Sequence, residues 1–370
     1  MADVAVIKTE TYEEVRGSLE RGFDLIAARR LIQPGTKVLI KPNLLKAAPP
    51  EKAVSTHPTV VKALVELVRD LGATPWVGES SGGAHYGNTS KAFKVCGIED
   101  AARDAAIKNF DTEGVERVSA KSFAFVESAH IARPVVEADV VISAAKLKTH
   151  LETLYTGAVK NMMGCIPGSG KLRLHQLAPK PRDLAEAILD VYAMTRPRLS
   201  VIDAVVSMEG DGPGSGTPKQ TGFVVVGEDG LAADAVASAA VGFDPGPLYF
   251  LASGERRGLG CATLSRLDIL GDPLAEIRVP DFKKPSNLIM RLLPNPLLKL
   301  LNRRFFRVTP EVLREKCADC GLCEKSCPVG AIQKGQIDRA KCIECFCCYE
   351  LCPHEAVKIR KTFLVRMLSQ

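Results

Sequence analysis

The sequence predicts an α/β fold with a largely parallel sheet covered by helices, followed by a small α+β domain. Two observations predict it. Short β-branched runs alternate with helix-like segments through residues 1–280, and nine of the twelve cysteines lie within residues 317–352. With 370 residues, 46% of them hydrophobic, the chain can bury one large core or two unequal cores. The predicted units are residues 1–280, a basic linker at 281–310, and residues 311–370.

The predicted strands are β-branched runs flanked by Gly, Pro or Asp, at residues 4–8, 37–41, 75–79, 139–143, 199–203, 222–226 and 267–271. Helical patterns lie between them. Residues 59–71 carry apolar side chains at three-to-four spacing and stop before Gly72, and residues 183–194 repeat that periodicity. This alternation favours a parallel sheet with both faces covered, and it leaves the strand order open.

Charge and hydropathy exclude several classes of function. The net charge of +6 is too small to indicate nucleic-acid binding. There is no run of about eighteen apolar residues, so no transmembrane helix is predicted. The first residues include acids and lack a basic flank before an apolar stretch, which is not typical of a secretory signal. We therefore expect a cytoplasmic protein with reduced cysteines.

The clustered cysteines form two copies of one spacing. Each copy reads C-x2-C-x2-C-x3-C-P, and each cysteine of the second copy lies 25 residues after its counterpart. The fourth cysteine of such a run reaches the cluster of the other run, so Cys352 is assigned to the first cluster and Cys327 to the second. The predicted metal ligands are Cys317, Cys320, Cys323, Cys327, Cys342, Cys345, Cys348 and Cys352.

Two structural zinc sites are the alternative, because C-x2-C pairs also suit zinc. Two complete runs in register, each ended by a proline, favour two 4Fe-4S clusters instead. Cys347 lies out of register and is expected to be a buried thiol. Residues 316–360 resemble the bacterial two-cluster ferredoxin family, and this resemblance implies one-electron transfer.

Residues 282–310 differ in composition from the segments on either side. They contain no acid, and seven basic residues lie there among Leu, Ile, Met and Phe, with Pro294 and Pro296 dividing the segment. Such a segment can make peripheral contact with an anionic membrane. It can equally pack the small domain against the large one with its basic groups outward.

A long polar stretch, residues 144–175, follows the predicted strand 139–143 and contains one acid, Glu152. Ligands of α/β sheets gather beyond the carboxyl ends of the strands, so the stretch predicts a site for an anionic small molecule. A solvated basic face is the alternative. The basic and amide residues of the stretch include Lys146, Lys148, His150, Lys160, Asn161, Lys171, Arg173 and His175.

Lys148, His150 and Lys160 are the predicted catalytic residues, because fixed positive charge suits a substrate that gains electron density. The predicted cofactor-binding residues are Asn43, Glu79, Ser80, Lys146 and Asn161. Residues 164–171 lack the spacing and the Ser or Thr of a P-loop, and no G-x-G-x-x-G turn joins a strand to a helix. Nucleotide binding is therefore not predicted. Three further thiols are expected to be inert, namely Cys96, Cys165 and Cys261.

Several segments within residues 3–260 together resemble the family called domain of unknown function 362: IKPNLL, HPTVV, GESSGG, ADVVISAAKLKTH, GAVKNMMGCIPG, and VIDAV with MEGDGPGSG. The resemblance implies an iron-sulfur protein in which this domain precedes a two-cluster ferredoxin module, and it implies no particular reaction. The motif residues that match are Lys41, Asn43, Glu79, Ser80, Lys146, Lys148, His150, Lys160, Asn161, Asp203 and Glu209.

Two classes of function follow from these features. In the first, the chain is a ferredoxin-dependent oxidoreductase that transfers electrons to an anionic substrate or cofactor on the α/β domain, with an external ferredoxin as its redox partner. In the second, it is an electron carrier or maturation protein whose large domain docks a partner. A large domain with a cation-lined edge favours the first class.

Overall fold

The computed structural model describes residues 2–82, 88–168, 170–244, 248–285, 308–325, 327, 329–342, 347–350, 352, 354 and 356–362. Most of the predicted linker, residues 286–307, lies outside the described residues, as does Cys345. Within the described ranges, no helix has the length and apolar character needed to cross a membrane.

The strands are, in chain order, β1 (Ala2–Lys8), β2 (Lys37–Pro42), β3 (Thr74–Glu79), β4 (Ala106–Asn109), β5 (Val115–Ser119), β6 (Ser128–Ala132), β7 (Val140–His150), β8 (Leu154–Thr156), β9 (Leu199–Glu209), β10 (Thr217–Gly227), β11 (Leu267–Gly271), β12 (Val308–Val312), β13 (Ile332–Gln333), β14 (Gln336–Ile337) and β15 (Val357–Lys361).

The α-helices are α1 (Val15–Leu25), α2 (Pro58–Asp70), α3 (Thr89–Val95), α4 (Ile98–Ala101), α5 (Arg133–Glu137), α6 (Ala158–Asn161), α7 (Gly170–Leu177), α8 (Pro181–Thr195), α9 (Gly230–Ala240), α10 (Tyr249–Arg256), α11 (Leu322–Lys325) and α12 (Cys347–Glu350). Short 3-10 helices span Tyr12–Glu14, Ala28–Leu31, Pro50–Lys52, Met162–Cys165 and Leu264–Arg266.

One mixed, mostly parallel sheet forms the large domain, and it confirms the predicted α/β fold. Its strand order is β11-β1-β10-β9-β7-β2-β3-β4, with β8 paired to the end of β7. Strands β9, β7, β2, β3 and β4 run parallel, while β10 runs antiparallel to both of its neighbours. The carboxyl ends of β2, β3, β7 and β9 therefore meet at one edge of the sheet, where α/β proteins hold their ligands.

Helices cover both faces of this sheet and bury two apolar layers. Helix α2 shows how the sequence produces one of them. Pro58 occupies its first turn, where the missing N–H costs nothing. The preceding His57 accepts a hydrogen bond at Nδ1 from the Thr59 amide (3.2 Å). Val60 and Leu64, four residues apart on one face, are fully buried against the sheet.

Strand β7 extends well beyond the predicted strand 139–143. It reaches His150 and turns back into β8, so the stretch expected to be a polar loop is instead a strand, a hairpin and the helices α6 and α7. Every residue of β7 is buried. Beyond the part paired with β2, the backbone of β7 pairs with the long strand β9 and the short strand β8, so the extension is hydrogen-bonded even though its final residues are polar.

The small domain consists of the antiparallel pair β12–β15, the hairpin β13–β14, and two short helices. Its apolar core contains Ile332, Val357 and Cys348. Cys323, Cys327 and Cys352 pack against that core, so the cysteines form part of the packing of the domain.

Candidate functional site

A buried ion pair joins the ends of β2 and β3. The Lys41 ammonium contacts the Glu79 carboxylate, and the two residues are 0% and 2% exposed. Lys41 Nζ also donates to the carbonyl of Pro42 (3.1 Å) and to Oδ1 of Asn161 (3.2 Å). The second Glu79 oxygen accepts from the Ser80 amide (2.9 Å). Burial raises the pKa of Glu79, and the charge of Lys41 opposes that rise. Each charge therefore offsets the cost of burying the other.

Gly164 closes over this ion pair from the 3-10 helix that follows α6. A Cβ atom at this position would overlap the carboxylate of Glu79 and would lie 2.6 Å from Nζ of Lys41. Glycine is therefore required by a close approach of backbone to buried charge. The next residue, Cys165, is fully buried, and burial raises the pKa of its thiol to about 12, so it is not a reactive thiolate at neutral pH.

Asn161 links the strands at the same edge. Its Nδ2 donates to the carbonyl of Lys41 (3.0 Å) and to Oγ of Ser143 (3.1 Å). Its Oδ1 accepts from Nδ2 of Asn43 (3.4 Å). Oδ1 of Asn43 is itself buried, and no group in the described part of the chain donates to it. The two predicted cofactor-binding amides thus lie together.

Lys146 belongs to a second buried cluster, beside the start of α2. Its ammonium lies 2.9 Å from Asp203 Oδ2 and 3.0 Å from the Tyr12 hydroxyl. The same Asp203 oxygen accepts from the His57 amide (2.9 Å), and the rings of Tyr12 and His57 stack at 3.5 Å. Burial lowers the pKa of Lys146, and Asp203 opposes that change. The positive charge of Lys146 is therefore neutralised by Asp203 within the fold.

Lys148 lies between the two clusters and is 1% exposed. Its Nζ donates to the carbonyl of Val54 (2.7 Å). Burial lowers the pKa of Lys148 well below its ordinary value, and the positive charges of Lys160 and Lys146 lower it further. Thr156 lies opposite Lys148 on β8, and its buried hydroxyl has no partner among the described residues. Lys148 is thus a buried amine with little tendency to carry charge.

His150, at the end of β7, is held as a neutral ring. Its Nδ1 accepts from the amides of Glu152 (3.1 Å) and Thr153 (3.4 Å), so the single ring proton lies on Nε2. Burial lowers the pKa of His150 well below its ordinary value, with Lys160 as the next cause. The neighbouring Glu152 carboxylate lies 2.5 Å from Nδ1 of His175.

Lys160 differs from the other lysines of the stretch. It is half-buried at the end of α6, and its ammonium has neither a hydrogen-bond acceptor nor an ion-pair partner in the described ranges. Burial lowers the pKa of Lys160 to about 8, with the Glu152 charge opposing. Lys160 therefore holds a proton at neutral pH and can release it just above.

Ser80 and Lys171 form a third cluster with a residue that the sequence did not indicate, Asp111. Lys171 Nζ donates to the carbonyl (2.7 Å) and Oγ (2.9 Å) of Ser80. Ser80 Oγ in turn donates to Asp111 (2.7 Å), which also accepts from the amide of Gly168 (3.0 Å). Burial lowers the pKa of Lys171 to about 8 and raises that of Asp111. These bonds fix the loop after β3.

Sequence reasoning missed both Asp111 and Asp234. Asp111 follows the short strand β4, which has no β-branched run long enough to be recognised. Asp234 lies in α9, where a single carboxylate in the otherwise small and apolar segment GLAADAVASAA was the available signal. It accepts from the first amides of α6.

Glu209 lies away from the lysines of the site. Its Oε2 accepts from the backbone amide of Lys283 (2.8 Å), so it joins the end of β9 to the beginning of the linker. The glycine-rich loop after β9 packs on β7, where the Gly212 amide donates to Oγ1 of Thr149 (3.1 Å). Asp203 and Glu209, the two carboxylates of the family motif after β9 begins, therefore have different roles: Asp203 pairs with Lys146, and Glu209 binds the backbone of Lys283.

In the small domain, cysteines from both runs line one cavity of about 460 Å³. The cavity is bounded by Cys317, Cys320 and Cys323 of the first run and by Cys352 of the second. No group of three or more His, Cys, Asp or Glu in the described residues is arranged to hold a single metal ion. Cysteines of both runs thus line one cavity, as crossed ligation of a cluster would require.

The duplicated spacing is also seen in the hydrogen bonds to sulfur. The Ala331 amide donates to Cys327 Sγ (3.2 Å), and 25 residues later the Ala356 amide donates to Cys352 Sγ (3.3 Å). Such bonds stabilise thiolate ligands. Arg173 of α7 donates to the carbonyl of Cys342 (3.1 Å), so the basic stretch contacts the small domain.

Two family models match the chain: Domain of unknown function (DUF362) over residues 38–239, and a 4Fe-4S binding domain over residues 309–332. A thylakoid-associated protein of Synechocystis sp. is 29% identical over 290 residues, 77% of this chain and 88% of the relative. The lactate racemase apoprotein of Thermoanaerobacterium thermosaccharolyticum aligns with a TM-score of 0.44 and 14% identity. That alignment covers 65% of this chain and 58% of the racemase, less than two thirds of its length.

The close approach at Gly164 predicts the effect of one added methyl group. Gly164→Ala should lower the free energy of unfolding by about 1–3 kcal/mol, because the Cβ atom must displace the Lys41–Glu79 pair. Chemical denaturation measures this change. The matched control is Gly17→Ala in α1, where a Cβ atom meets nothing within 4 Å and the variant should be about as stable or slightly more so. Equal stability of the two variants would show that the pair tolerates rearrangement.

Proposed function

This chain belongs to the DUF362 family and carries a 4Fe-4S binding domain, and on that premise we propose that it is an iron-sulfur redox protein. In this proposal it holds two 4Fe-4S clusters in the small domain and an anionic small molecule at the edge of the large sheet. The electrons pass to that molecule, and a redox partner protein such as an external ferredoxin supplies them.

The cofactor part of the proposal is supported by the thiols around the cavity. Cys317, Cys320, Cys323 and Cys352 would hold one cluster. The second would be held by Cys327, Cys342, Cys348 and Cys345, the last of which lies outside the described residues. When bound, such clusters supply one-electron transfer.

The single observation that carries the anion site is the Lys160 ammonium, which forms neither a hydrogen bond nor an ion pair in the described part of the chain. Three other lysines at this edge have partners within the fold. Lys41 pairs with Glu79, Lys146 pairs with Asp203, and Lys171 donates hydrogen bonds to Ser80. Lys148 is kept largely uncharged by burial. Lys160 forms no ion pair in the described part of the chain, and Glu152, the carboxylate that acts on its pKa, is paired with His175, so a bound anion would provide Lys160 with a direct partner.

The surroundings of Lys160 also suit proton transfer to that anion. With a pKa near 8, Lys160 can donate a proton at neutral pH to a bound molecule that gains electrons. His150 presents a fixed Nε2–H as a second donor. The predicted catalytic roles of Lys160 and His150 are thus retained in the proposal, whereas Lys148, which burial keeps largely uncharged, is not proposed as a proton donor.

Removing the Lys160 charge should remove anion binding. Lys160→Met is expected to weaken the binding of inorganic phosphate and of acetate at least tenfold at pH 7, as measured by isothermal titration calorimetry, with iron content unchanged. Lys121→Met, at an exposed position, should bind both anions as the wild type does. Unchanged affinity in Lys160→Met together with a lost protein partner would support the docking alternative.

The same site should lose affinity as the pH rises. The folded pKa of Lys160 is about 8, below the ordinary 10.5, so the ammonium disappears above pH 8. Affinity for acetate, whose own charge is constant there, should fall about tenfold for each pH unit above about 8. Calorimetry between pH 7 and pH 10 tests this. An affinity that stays constant to pH 10 would indicate a different cation.

The crossed cysteine assignment can be tested through iron content. Anaerobically prepared protein should contain about eight iron atoms per chain. Cys352→Ser should remove about half of them, because Cys352 lines the cavity of the first run. Cys347→Ser, out of register, should leave iron unchanged. Two zinc ions and no iron in the wild type would overturn the assignment.

Peripheral membrane contact through residues 282–310 is part of the proposal, alongside a cytoplasmic location. The thylakoid association in the name of the Synechocystis relative supports the membrane contact. Binding to liposomes should require anionic lipid and weaken with salt, because each basic residue contributes about 1 kcal/mol within a screened distance. Equal sedimentation with neutral and anionic liposomes would leave a packing role for the segment.

A further inference from the structure

A buried carboxylate in α9 holds the start of α6. Asp234 is 0% exposed. Its Oδ1 accepts from the Ala158 amide (2.6 Å) and from the Tyr155 hydroxyl (3.2 Å), while Oδ2 accepts from the Val159 amide (3.0 Å). Both carboxylate oxygens are therefore used by the segment that ends in Lys160.

Gly157, which lies between Tyr155 and Ala158 in the sequence, allows the close contact with Asp234. Gly157 precedes α6, and a Cβ atom there would overlap both the Asp234 carboxylate and the Tyr155 hydroxyl. The Asp234 carboxylate is therefore in contact with the backbone of Gly157 and with the hydroxyl of Tyr155. This packing determines where α6 begins, and Lys160 follows two residues after Ala158.

We propose that Asp234 is a positioning residue for the Lys160 site, fixing α6 so that the Lys160 ammonium faces the bound anion. This inference rests on the proposed function for the role of Lys160. Asp234 acts through the backbone of α6, without touching the ligand.

The buried Asp234 carboxylate also makes the stability of the fold depend on pH. Burial raises the folded pKa of Asp234 to about 7, above its ordinary value of 3.8, with Asp229 adding to the rise and the α6 amides opposing it. The folded state therefore binds more protons than the unfolded chain between these values, and stability falls as the pH rises from about 4 to about 7. The titratable groups that face Asp234 are Tyr155, Asp229 and Tyr192.

The effect of Asp234 on Lys160 can be separated from direct electrostatics. Glu152 is the charged group that acts on the pKa of Lys160, and Asp234 is not among its causes. A change of Lys160 pKa in an Asp234 variant would therefore arise from movement of α6. Asn at position 234 can accept one amide through Oδ1, but its Nδ2 would face the other amide as a donor.

The experiment measures the pKa of Lys160 from the pH dependence of its acetylation by acetic anhydride, followed by peptide mass spectrometry. In Asp234→Asn the apparent pKa should rise by about one unit, because a loosened α6 lets water reach the ammonium. Phosphate affinity at pH 7 should fall about tenfold. The control is Asp190→Asn, an equally buried carboxylate that accepts from the amides of residues 124–126 and pairs with Arg257, and that makes no hydrogen bond to α6.

A folded Asp234→Asn protein with the wild-type Lys160 pKa and phosphate affinity would overturn the inference, and so would an equal shift in the Asp190 control. If Asp234→Asn does not fold, Tyr155→Phe, which removes one donor to the carboxylate, decides by the same pKa measurement. Failure of wild-type protein to bind phosphate or acetate would count against the proposed function alone, since the Lys160 pKa still reports whether Asp234 positions α6.

Discussion

Lys41 and Glu79 meet where two parallel strands end beneath a covering backbone, and neither charge can be left there without the other. The pair determines what surrounds it. Asn161 must satisfy the remaining groups of Lys41, and residue 164 must lack a side chain to cover the carboxylate. The ends of β2 and β3 and the segment after α6 are thereby joined into one edge.

A buried positive charge at that edge must be paired with an acid or lost by deprotonation, and the basic residues differ in which of these applies. Lys146 is neutralised by Asp203, which also accepts the His57 amide at the start of α2, so that lysine stabilises the junction between sheet and helix. Lys148 and His150 are deprived of charge by burial. Lys160 keeps its charge without an ion pair in the described part of the chain, and Glu152 is the carboxylate that acts on its pKa.

Contacts of α6 and α7 join the basic stretch to α9 and to the small domain. Asp234 ties the first turn of α6 to α9, while Arg173 at the other end of the basic stretch contacts the backbone of Cys342. The cysteines of the small domain also form its packing, because the apolar core is too small to exclude them.

The sequence by itself determined the features that depend on neighbours along the chain. The cysteine spacing indicates a cluster domain because ligand loops are local, and apolar runs marked the strands of the sheet, although β7 continued past its apolar part. Only the tertiary structure decided which lysines keep their charge. Asp203 lies 57 residues from Lys146, and Asp234 lies 76 residues from Ala158. Coulomb energy depends on separation in space and on burial, which no spacing along the chain contains.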